Sequence, residues 1–391
     1  MSIQPRMIQP LIQRLATSYP VLTLLGPRQS GKTTLVKEVF ANKPYVSLEN
    51  PAMRQFAQDD PLSFLAQYPD GAVLDEVQRA PWLLSYIQGI VDDNQKKSMF
   101  ILTGSHQQSL HESISQSLAG RTVMLKLLPY SLQELPEHAH QKELDFYLYH
   151  GMYPRVYQDN LDPPIFYSSY LQTYVEKDVR QMINIKDLGL FQRFIKLCAS
   201  RIGQVFNAQS MANDLGLSGP TINQWLSILE ASFVLFRLQP YFENFGKRLI
   251  KSPKLYFYDV GLATYCLDIH RQEQLIRDPL RGQLAENFVI TELIKNRLNQ
   301  GLESNAYFYR DSNQNEVDLI FKSGHFLYPV EIKSSKTYNS AFVKSLNQFK
   351  SLVGDRCPKG WLIYTGDHEQ KIGEIDVINF HHCHRITDEI I

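Results

Sequence analysis

The residues with the clearest chemical potential form one short run, GPRQSGKTT, at positions 26–34. Its spacing completes G-x-x-x-x-G-K-[ST], the pattern of a loop whose backbone N–H groups bind the phosphates of a nucleotide. The pattern predicts an ATP site with Mg²⁺, in which Lys32 reaches the β- and γ-phosphates and the Thr33 hydroxyl ligates the metal. We expect the nucleotide to contact Gly26, Pro27, Arg28, Gln29, Ser30, Gly31, Lys32, Thr33 and Thr34.

A pair of acids ends the apolar run AVLDE at positions 72–76. Such a run predicts a buried strand, and we expect Asp75 to lie at the carboxyl edge of that strand, beside the phosphate loop. We expect Asp75 to hold Mg²⁺ through water, and Glu76 to act as general base toward the attacking water. An acid pair that simply begins a solvated loop is the alternative.

Three further residues are candidates for the same site. Ser105, or Thr103 as second choice, follows the apolar run 99–102 and could orient the water or sense the γ-phosphate. The alternative is an ordinary polar strand end. Arg121, in the run LAGR, could contact the γ-phosphate from its own or from a neighbouring subunit, as arginine fingers do. A surface arginine is the alternative there.

A second group of charged residues lies near the C-terminus. Asp318 and the pair Glu331 and Lys333 occur on two alternating apolar–polar runs, with Ser323-Gly324 between them as a predicted hairpin turn. With that turn, Asp318 faces residue 329 and is a diagonal neighbour of Glu331. Glu286 shares a helical stripe with apolar residues, an unusual place for a charge without a partner. Asp318 and Glu331 beside Lys333 predict a metal site able to activate water against a phosphodiester, with Glu286 as a further acid. The alternative is a salt-bridged core without catalytic activity.

Two features between these groups suggest nucleic-acid binding. Residues 207–229 have the spacing of a helix-turn-helix, with Gly216 at the turn, yet the second helix offers no Lys or Arg, so packing is an equal alternative. The stretch 247–254 then follows where the wing of a winged helix would lie. Its cations are predicted to grip a DNA backbone, with a solvated loop as the alternative; they are Lys247, Arg248, Lys251 and Lys254.

These groups need elements to position them. Short apolar runs at 21–25, 45–48, 72–74, 99–102 and 123–127 alternate with helical patterns and predict a mainly parallel α/β sheet. Residues 140–200 are helical and rich in aromatic side chains. The part after residue 280 returns to helix followed by strands.

Composition limits the class of protein. The 391 residues contain 40 Lys and Arg against 40 Asp and Glu, so any nucleic-acid site must be a local patch. The four cysteines show no metal-type spacing, and no apolar run reaches the roughly 20 residues that span a membrane. The first residues lack the apolar core of a signal peptide. We expect a cytoplasmic protein with free thiols and no membrane partner.

The same runs resemble a known family. GPRQSGKTTL, VLDEVQ, ILTGS, SLAGR and LLPYSLQEL are similar to prokaryotic AAA-type ATPases of the ORC/STAND-like branch. HGMYPRVY, YVEKDVRQM, KRLIKSPKLYFYDVGL, GQLAENFV and NEVDLIF…PVEIK resemble the family's partner domain, a domain of unknown function. The resemblance implies ATP binding, a winged-helix segment, a C-terminal core like the PD-(D/E)xK nucleases, and a ring of subunits, with a hexamer favoured.

The resulting expectation is an α/β protein in three parts. They are an AAA-type P-loop ATPase domain at 1–137, a helical and winged-helix middle at 138–260, and a restriction-endonuclease-like α/β domain at 261–391. The expected function is ATP hydrolysis coupled to work on DNA, at branched or damaged DNA, in repair or in processing of mobile elements. The alternative is an ATP-gated regulatory binding module with an inactive nuclease-like domain, whose partner could be a protein.

Overall fold

The predicted alternation of strands and helices at the N-terminus forms one parallel sheet. A computed structural model describes residues 4–94, 96–105, 114, 116–175, 187–242 and 251–390. The sheet has the order β2-β3-β4-β1-β5, with every neighbouring pair parallel. Its strands are β1 (Val21–Leu25), β2 (Tyr45–Ser47), β3 (Ala72–Asp75), β4 (Phe100–Gly104) and β5 (Thr122–Lys126). The five predicted strands are confirmed, each within two residues at either end.

This sheet is buried because its strands carry apolar side chains on both faces. Leu22, Leu24, Val73 and Ile101 pack with Leu35 and Val36 of the following helix in one apolar core. The helices of this part of the chain are Gln9–Ala16, Lys32–Val39, Pro51–Asp59, Pro61–Ala66 and Leu83–Asn94. Since β1, β3 and β4 run in the same direction, their carboxyl ends meet at one edge of the sheet.

The middle of the chain is helical, as predicted. Its helices are Leu144–His150, Pro154–Gln158, Pro163–Tyr170, the π-helical turn Leu171–Val175, Leu188–Ser200, Ala208–Leu215 and Gly219–Ala231. The last two form the predicted pair of helices, and Gly216 between them has φ 66°, a left-handed conformation that favours glycine. Asn207 caps the first of the two by accepting a hydrogen bond from the Ser210 N–H.

A second, mixed sheet of eight strands follows, in the order β12-β13-β11-β10-β9-β8-β6-β7. Its strands are β6 (Leu235–Pro240), β7 (Lys254–Phe257), β8 (Ala306–Arg310), β9 (Glu316–Ser323), β10 (Phe326–Ile332), β11 (Gly360–Tyr364), β12 (Gln370–Ile372) and β13 (Ile375–Asn379). Its helices are Val260–Cys266, Arg281–Asn299, Lys344–Val353 and His384–Ile390. Short 3-10 turns occur at Val77–Arg79, Leu132–Glu134, Glu137–Ala139, Gln272–Arg277, Ser340–Val343, Gly354–Arg356 and Phe380–His382.

The hairpin between β9 and β10 exists, but its predicted register is wrong. Ser323 pairs with Phe326, so the turn consists of Gly324 and His325. The pairing runs on to Leu319 opposite Val330. Continued by one residue, this register puts Asp318 opposite Glu331 and not opposite Pro329, because placing the turn one residue too early moves the register by two.

The chain divides into two compact units. The first contains Met1–Glu134, Glu230–Phe233 and Leu298–Leu302, and the second contains Leu135–Leu229, Val234–Arg297 and Glu303–Ile391. The first boundary lies close to the predicted end of the ATPase domain at 137. The predicted boundary at 260/261 falls inside the second unit, where β6 pairs with β8 in one sheet.

Two expectations from composition can be compared with the described residues. No helix among them is long and apolar enough to cross a membrane. The four cysteines are buried free thiols, as predicted from their spacing.

Candidate functional site

The phosphate loop connects β1 to the helix Lys32–Val39, as its sequence pattern requires. Two glycines are needed for its shape. A Cβ on Gly26 would lie only 2.1 Å from the Leu127 carbonyl oxygen, and Gly31 has φ 93°, in the left-handed region. The loop therefore begins against β5 and ends at the N-terminus of a helix, where unpaired N–H groups attract anions.

The side chains of the loop fit a phosphate ligand. Lys32 is 5% exposed, and its Nζ donates to the carbonyl oxygens of Gly26 and Pro27, each at 2.8 Å. Within the described part of the chain, Ser30 Oγ and Gln29 Oε1 are buried without a hydrogen-bonding partner. Buried polar atoms are normally paired, so these atoms are consistent with a polar ligand in the loop.

Asp75 lies where the sequence places a magnesium ligand. Its carboxylate accepts hydrogen bonds from Thr33 Oγ1 at 3.2 Å, from the Tyr45 hydroxyl at 2.5 Å and from Thr103 Oγ1. Burial and this carboxylate raise the pKa of Tyr45 well above its usual value, so the phenol stays a donor. The hydroxyl and the carboxylate predicted to hold Mg²⁺ therefore lie in contact at the edge of the sheet.

Glu76 has a conformation that is uncommon outside glycine. Its φ is 58° and its ψ 46°, and its N–H donates to Thr103 Oγ1 at 3.3 Å. The carboxylate accepts from Ser105 Oγ at 3.0 Å and from Gln78 Nε2, which itself donates to Ser105 Oγ at 3.1 Å. Strained residues persist where surrounding contacts hold them, and they occur often at active sites. The structure thus brings Ser105 to Glu76 and Thr103 to Asp75.

Two residues of this site were missed by the sequence prediction. Gln78 holds Glu76 and Ser105 together, and its position two residues after Glu76 was the available signal. Arg6 is 7% exposed and donates to the carbonyl oxygens of Ser30 at 2.6 Å and Leu128 at 2.7 Å. The Nε of Arg6 lies 3.1 Å from Glu134 Oε1. This ion pair holds the guanidinium that donates to the Ser30 carbonyl oxygen of the phosphate loop. Nothing local in the sequence marks Arg6.

The two predicted arginines of this unit are both ion-paired. Arg28 Nη1 lies 3.3 Å from Glu49 Oε1, which Arg79 also contacts at 3.3 Å. Arg121 donates through its Nε and Nη2 to the two carboxylate oxygens of Asp92, at 2.6 and 2.8 Å, and it lowers the pKa of that carboxyl. To contact a γ-phosphate, Arg121 must exchange Asp92 for the nucleotide. Its role as a finger stays a prediction.

A second cluster of charges lies in the C-terminal sheet. Lys333 Nζ is 2.5 Å from Glu331 Oε1 and 3.9 Å from Asp318 Oδ2. Ser345 donates to Glu331 Oε2 at 2.8 Å, and the Ile332 N–H donates to Asp318 Oδ2 at 2.9 Å. The structure thus brings together the two carboxylates and the lysine that the sequence singled out. Among the described residues, no three His, Cys, Asp or Glu side chains converge in a way that could hold a metal ion.

The acids of this cluster are electrostatically perturbed. Burial raises the pKa of Glu331 to about 8, Asp318 adds to the rise, and Lys333 opposes it. Burial on its own would lower the pKa of Lys333, but Asp318 and Glu331 outweigh it and hold the pKa above its usual value. Glu331 therefore holds a proton more readily than an ordinary glutamate, and a metal ion would have to compete with that proton.

The predicted DNA-binding role of Lys254 is wrong. Lys254 begins the buried strand β7, is 1% exposed, and lies 3.0 Å from Glu286 Oε1 and 2.5 Å from Glu316 Oε1. Lys254 cannot reach a DNA backbone because it lies on a strand whose four residues are all buried. Lys251 is exposed and stays a candidate. Lys247 and Arg248 lie outside the described residues.

The carboxylate of Glu286 is hydrogen-bonded to a lysine and to a tyrosine. Lys254 Nζ and the Tyr256 hydroxyl both donate to Glu286 Oε1. Burial raises the pKa of Glu286 to about 7, Lys254 opposes the rise, and Asp318 adds to it. Glu286 therefore lies near Asp318, but its carboxylate is already hydrogen-bonded.

Comparisons with known families match three separate parts of the chain. Residues 18–136 match the model of an AAA domain. Residues 141–273 match a domain of unknown function (DUF8612), and residues 281–383 match another (DUF4143). The first match covers the phosphate loop and all five strands of the parallel sheet, and it supports an AAA-type ATPase domain. The other two descriptions name no fold, so the winged-helix and nuclease-like interpretations stay predictions.

Related proteins extend over most of the chain. An uncharacterized protein of Mycobacterium tuberculosis is 29% identical over 371 residues, covering 94% of this chain and 81% of the relative. An uncharacterized protein of Haemophilus influenzae is 24% identical over 326 residues, covering 74% of this chain and 77% of the relative. Sequence similarity to the first of these relatives thus extends along nearly the whole chain.

Solved structures show weaker similarity. The Walker-type ATPase PABY2304 of Pyrococcus abyssi is 15% identical, covering 68% of this chain and 96% of that chain at a TM-score of 0.41. The RuvB Holliday junction branch migration motor of Thermotoga maritima is 19% identical, covering 60% and 89% at a TM-score of 0.32. These similarities are too weak to support a functional conclusion.

Proposed function

We propose that the N-terminal unit binds Mg-ATP and hydrolyses it, with Glu76 as the general base. One observation carries this proposal: Thr33, at the end of the phosphate loop, lies in hydrogen-bonding contact with Asp75, at the carboxyl end of β3. That contact joins the two halves of a nucleotide site that the sequence places 42 residues apart. The AAA-domain match over residues 18–136 supports it independently.

The side chains divide the work by position. Lys32 is placed to exchange its two carbonyl partners for phosphate oxygens, and the loop N–H groups surround the same anion. Glu76 is placed to take the proton of the attacking water, while Ser105 and Gln78 hold its carboxylate in one orientation. Mg²⁺, when bound through Thr33 and Asp75, supplies neutralisation of charge on the phosphates.

Measurement of phosphate release from ATP tests both the proposed hydrolysis and whether DNA is the partner of the protein. We expect turnover with Mg²⁺ and none after chelation with EDTA, because the metal site is part of the chemistry. If the protein acts on DNA, single-stranded, duplex, forked or four-way DNA should stimulate turnover. Slow turnover that no DNA changes would favour the ATP-gated regulatory module, and no turnover under any condition would contradict the proposal.

Replacing Lys32 by Ala is expected to weaken ATP binding by about 10²–10⁴-fold. The variant loses two charge-assisted hydrogen bonds to phosphate, each contributing roughly 1.5–3 kcal/mol, and each 1.4 kcal/mol corresponds to about tenfold in affinity. Calorimetric titration with a non-hydrolysable ATP analogue measures the change. Lys97→Ala is the matched control, because Lys97 is an exposed lysine of the same unit. Equal affinities for both variants would show that Lys32 does not contact the phosphates.

A second candidate function is metal-dependent cleavage of a phosphodiester in the C-terminal sheet. The observation that favours it is the contact of Lys333 with both Asp318 and Glu331 at the ends of paired strands. Two carboxylates can hold a divalent ion and a lysine can stabilise the developing charge on phosphate. DNA is the proposed substrate. Its backbone would be contacted by Lys251 and by Lys247 and Arg248 of the same stretch, which would form the wing of a winged helix with the two helices at 207–229.

Asp318→Ala is expected to reduce Mg²⁺- or Mn²⁺-dependent DNA cleavage by about a hundredfold, since loss of even an outer-shell partner of a metal costs up to about that much. ATP turnover without DNA should not change, because the nucleotide site lies in the other unit. Gel analysis of labelled DNA measures cleavage, and Asp355→Asn is the control at an exposed acid of the same unit. If the wild type cleaves DNA with neither Mg²⁺ nor Mn²⁺, the carboxylate cluster has only a structural role.

We further propose a homo-oligomer, with a hexamer favoured, in the cytoplasm. The proposal rests on the resemblance of the sequence to AAA-type ATPases and on the free, buried thiols. Arg121 is the residue that would join neighbouring subunits.

A further inference from the structure

Arg6 is a buried cation that contacts the phosphate loop from outside the loop sequence. It precedes the first helix of the chain, Gln9–Ala16, yet it is only 7% exposed. Its Nη1 donates to the Ser30 carbonyl oxygen at 2.6 Å, and its Nη2 donates to the Leu128 carbonyl oxygen at 2.7 Å. The guanidinium therefore joins the phosphate loop to the segment that follows β5.

The guanidinium is itself held in place by further contacts. Its Nε lies 3.1 Å from Oε1 of Glu134, a side chain that is 1% exposed. The two oxygens of this carboxylate also accept hydrogen bonds from the Met7 N–H at 2.7 Å and from the Ser131 N–H at 2.9 Å. The Tyr130 ring centroid lies 5.0 Å from the Arg6 Cζ. A buried ion pair with this many hydrogen bonds fixes the position of both side chains.

The hydrogen bond to Ser30 sets the direction of the next backbone donor. The Ser30 C=O and the Gly31 N–H belong to one planar trans peptide unit, in which they point in opposite directions. Because Arg6 holds the C=O on its own side, the Gly31 N–H points to the other side of the loop. A Cβ on Gly31 would lie 3.3 Å from Arg6 Nη1, so glycine also leaves room for the guanidinium.

The Gly31 N–H is one of the donors through which such a loop binds phosphate. Gly31 is the residue immediately before the helix Lys32–Val39, and the N–H groups at the start of a helix attract anions. A hydrogen bond from a cation to the carbonyl oxygen also polarises the peptide unit, which makes its N–H a stronger donor. Arg6 thus acts on this donor in two ways, through its direction and through its strength.

We propose that Arg6 is a positioning residue of the nucleotide site, which orients and polarises the Gly31 N–H toward the phosphates that ATP and ADP share. The inference rests on the proposed binding of nucleotide to this loop. The N–H groups of such a loop surround the α- and β-phosphates. Loss of the Arg6 contact therefore weakens ATP and ADP binding by the same factor, while attack on the γ-phosphate, assigned to Glu76, keeps its rate.

Arg6→Lys tests this in the full-length protein. Lysine keeps a positive charge beside Glu134, but its single ammonium group lacks the rigid fork that donates to both carbonyl oxygens. We expect the Kd values for ADP and for a non-hydrolysable ATP analogue each to rise by about tenfold or more, and kcat at saturating ATP to equal that of the wild type. Arg14→Lys is the matched control, because Arg14 is an exposed arginine of the same unit.

The Gly31 amide gives a readout that a general loss of stability would not change. Ser–Gly pairs occur at 30–31, 218–219 and 323–324, so labelling with ¹³C-serine and ¹⁵N-glycine selects these amides in NMR spectra. Saturating ADP should move the Gly31 amide proton downfield in the wild type and in Arg14→Lys. The displacement should be clearly smaller in Arg6→Lys, because the hydrogen bond to phosphate is weaker.

The outcomes separate the inference from the function on which it rests. Wild-type affinity for both nucleotides in Arg6→Lys, a loss confined to ATP, or a lower kcat at unchanged affinity overturns the inference while the nucleotide site stands. If the wild type binds neither ATP nor ADP, the proposed function fails and the inference fails with it.

A double variant covers the case in which Arg6→Lys does not fold, as judged by circular dichroism. Arg6→Met/Glu134→Gln removes both charges, so no buried charge is left without its partner. The same loss of affinity for ATP and ADP should appear, with kcat at saturating ATP retained. A folded double variant with wild-type affinity for both nucleotides would show that Arg6 does not position the loop.

Discussion

Replacing Glu76 by Gln is expected to lower kcat for ATP hydrolysis by about 10²–10⁴-fold without weakening ATP binding. The amide has the size of the carboxylate and can keep contacts with Ser105 and Gln78, but it cannot take a proton from water. Steady-state phosphate release gives kcat, and titration with a fluorescent ATP analogue gives the affinity.

The control for this change is Glu38→Gln. Glu38 is an exposed acid on the helix that follows the phosphate loop. Its replacement by Gln is the same chemical change in the same unit, but it leaves the proposed general base intact. We expect its turnover to equal that of the wild type. Undiminished turnover in Glu76→Gln would mean that another residue positions the water.

Replacing Arg121 by Ala is expected to lower kcat by about a thousandfold while ATP affinity is kept, since arginine fingers act on charge that develops in the transition state. If Arg121 acts on a neighbouring subunit, mixing it with Lys32→Ala protein should recover part of the activity. Each subunit then supplies the group that the other lacks. Phosphate release after mixing in different ratios measures the recovery.

Asp92→Ala separates this role from a structural one. It removes the same ion pair with Arg121 but leaves the guanidinium in place. Activity close to that of the wild type in Asp92→Ala, with loss in Arg121→Ala, supports a finger. Equal loss in both variants would mean that the ion pair, rather than contact with nucleotide, is what matters, and no recovery on mixing would exclude action between subunits.

The first unit could be predicted closely because its signals are local. The phosphate loop is a fixed spacing after an apolar strand, and the acids end another strand of the same parallel sheet. The carboxyl ends of these strands lie at one edge, where Thr33 contacts Asp75. What could not be predicted is the support of these groups by distant residues. Arg6 contacts Ser30 and Leu128, which lie 24 and 122 residues away, and no periodicity reveals such pairs.

The second unit shows where local patterns mislead. The cation-rich run 247–254 predicted a solvent-exposed contact with DNA. Lys254 is instead the first residue of the strand KLYF, whose four residues are all buried. Its partners, Glu286 and Glu316, come from a helix and a strand far along the chain. The apolar helical stripe around Glu286 indicated that this acid needs a partner, but not that Lys254 is that partner. The residue types of the acidic cluster were predictable, but their partners were not.

The nucleotide that stays bound after incubation with Mg-ATP tests the central claim most directly. The wild type and Glu76→Gln are each incubated with Mg-ATP, freed from unbound nucleotide by rapid gel filtration, denatured and analysed by chromatography. Hydrolysis at this site with Glu76 as base predicts ADP on the wild type and ATP on Glu76→Gln. ADP on both proteins, or ATP on both, would contradict it.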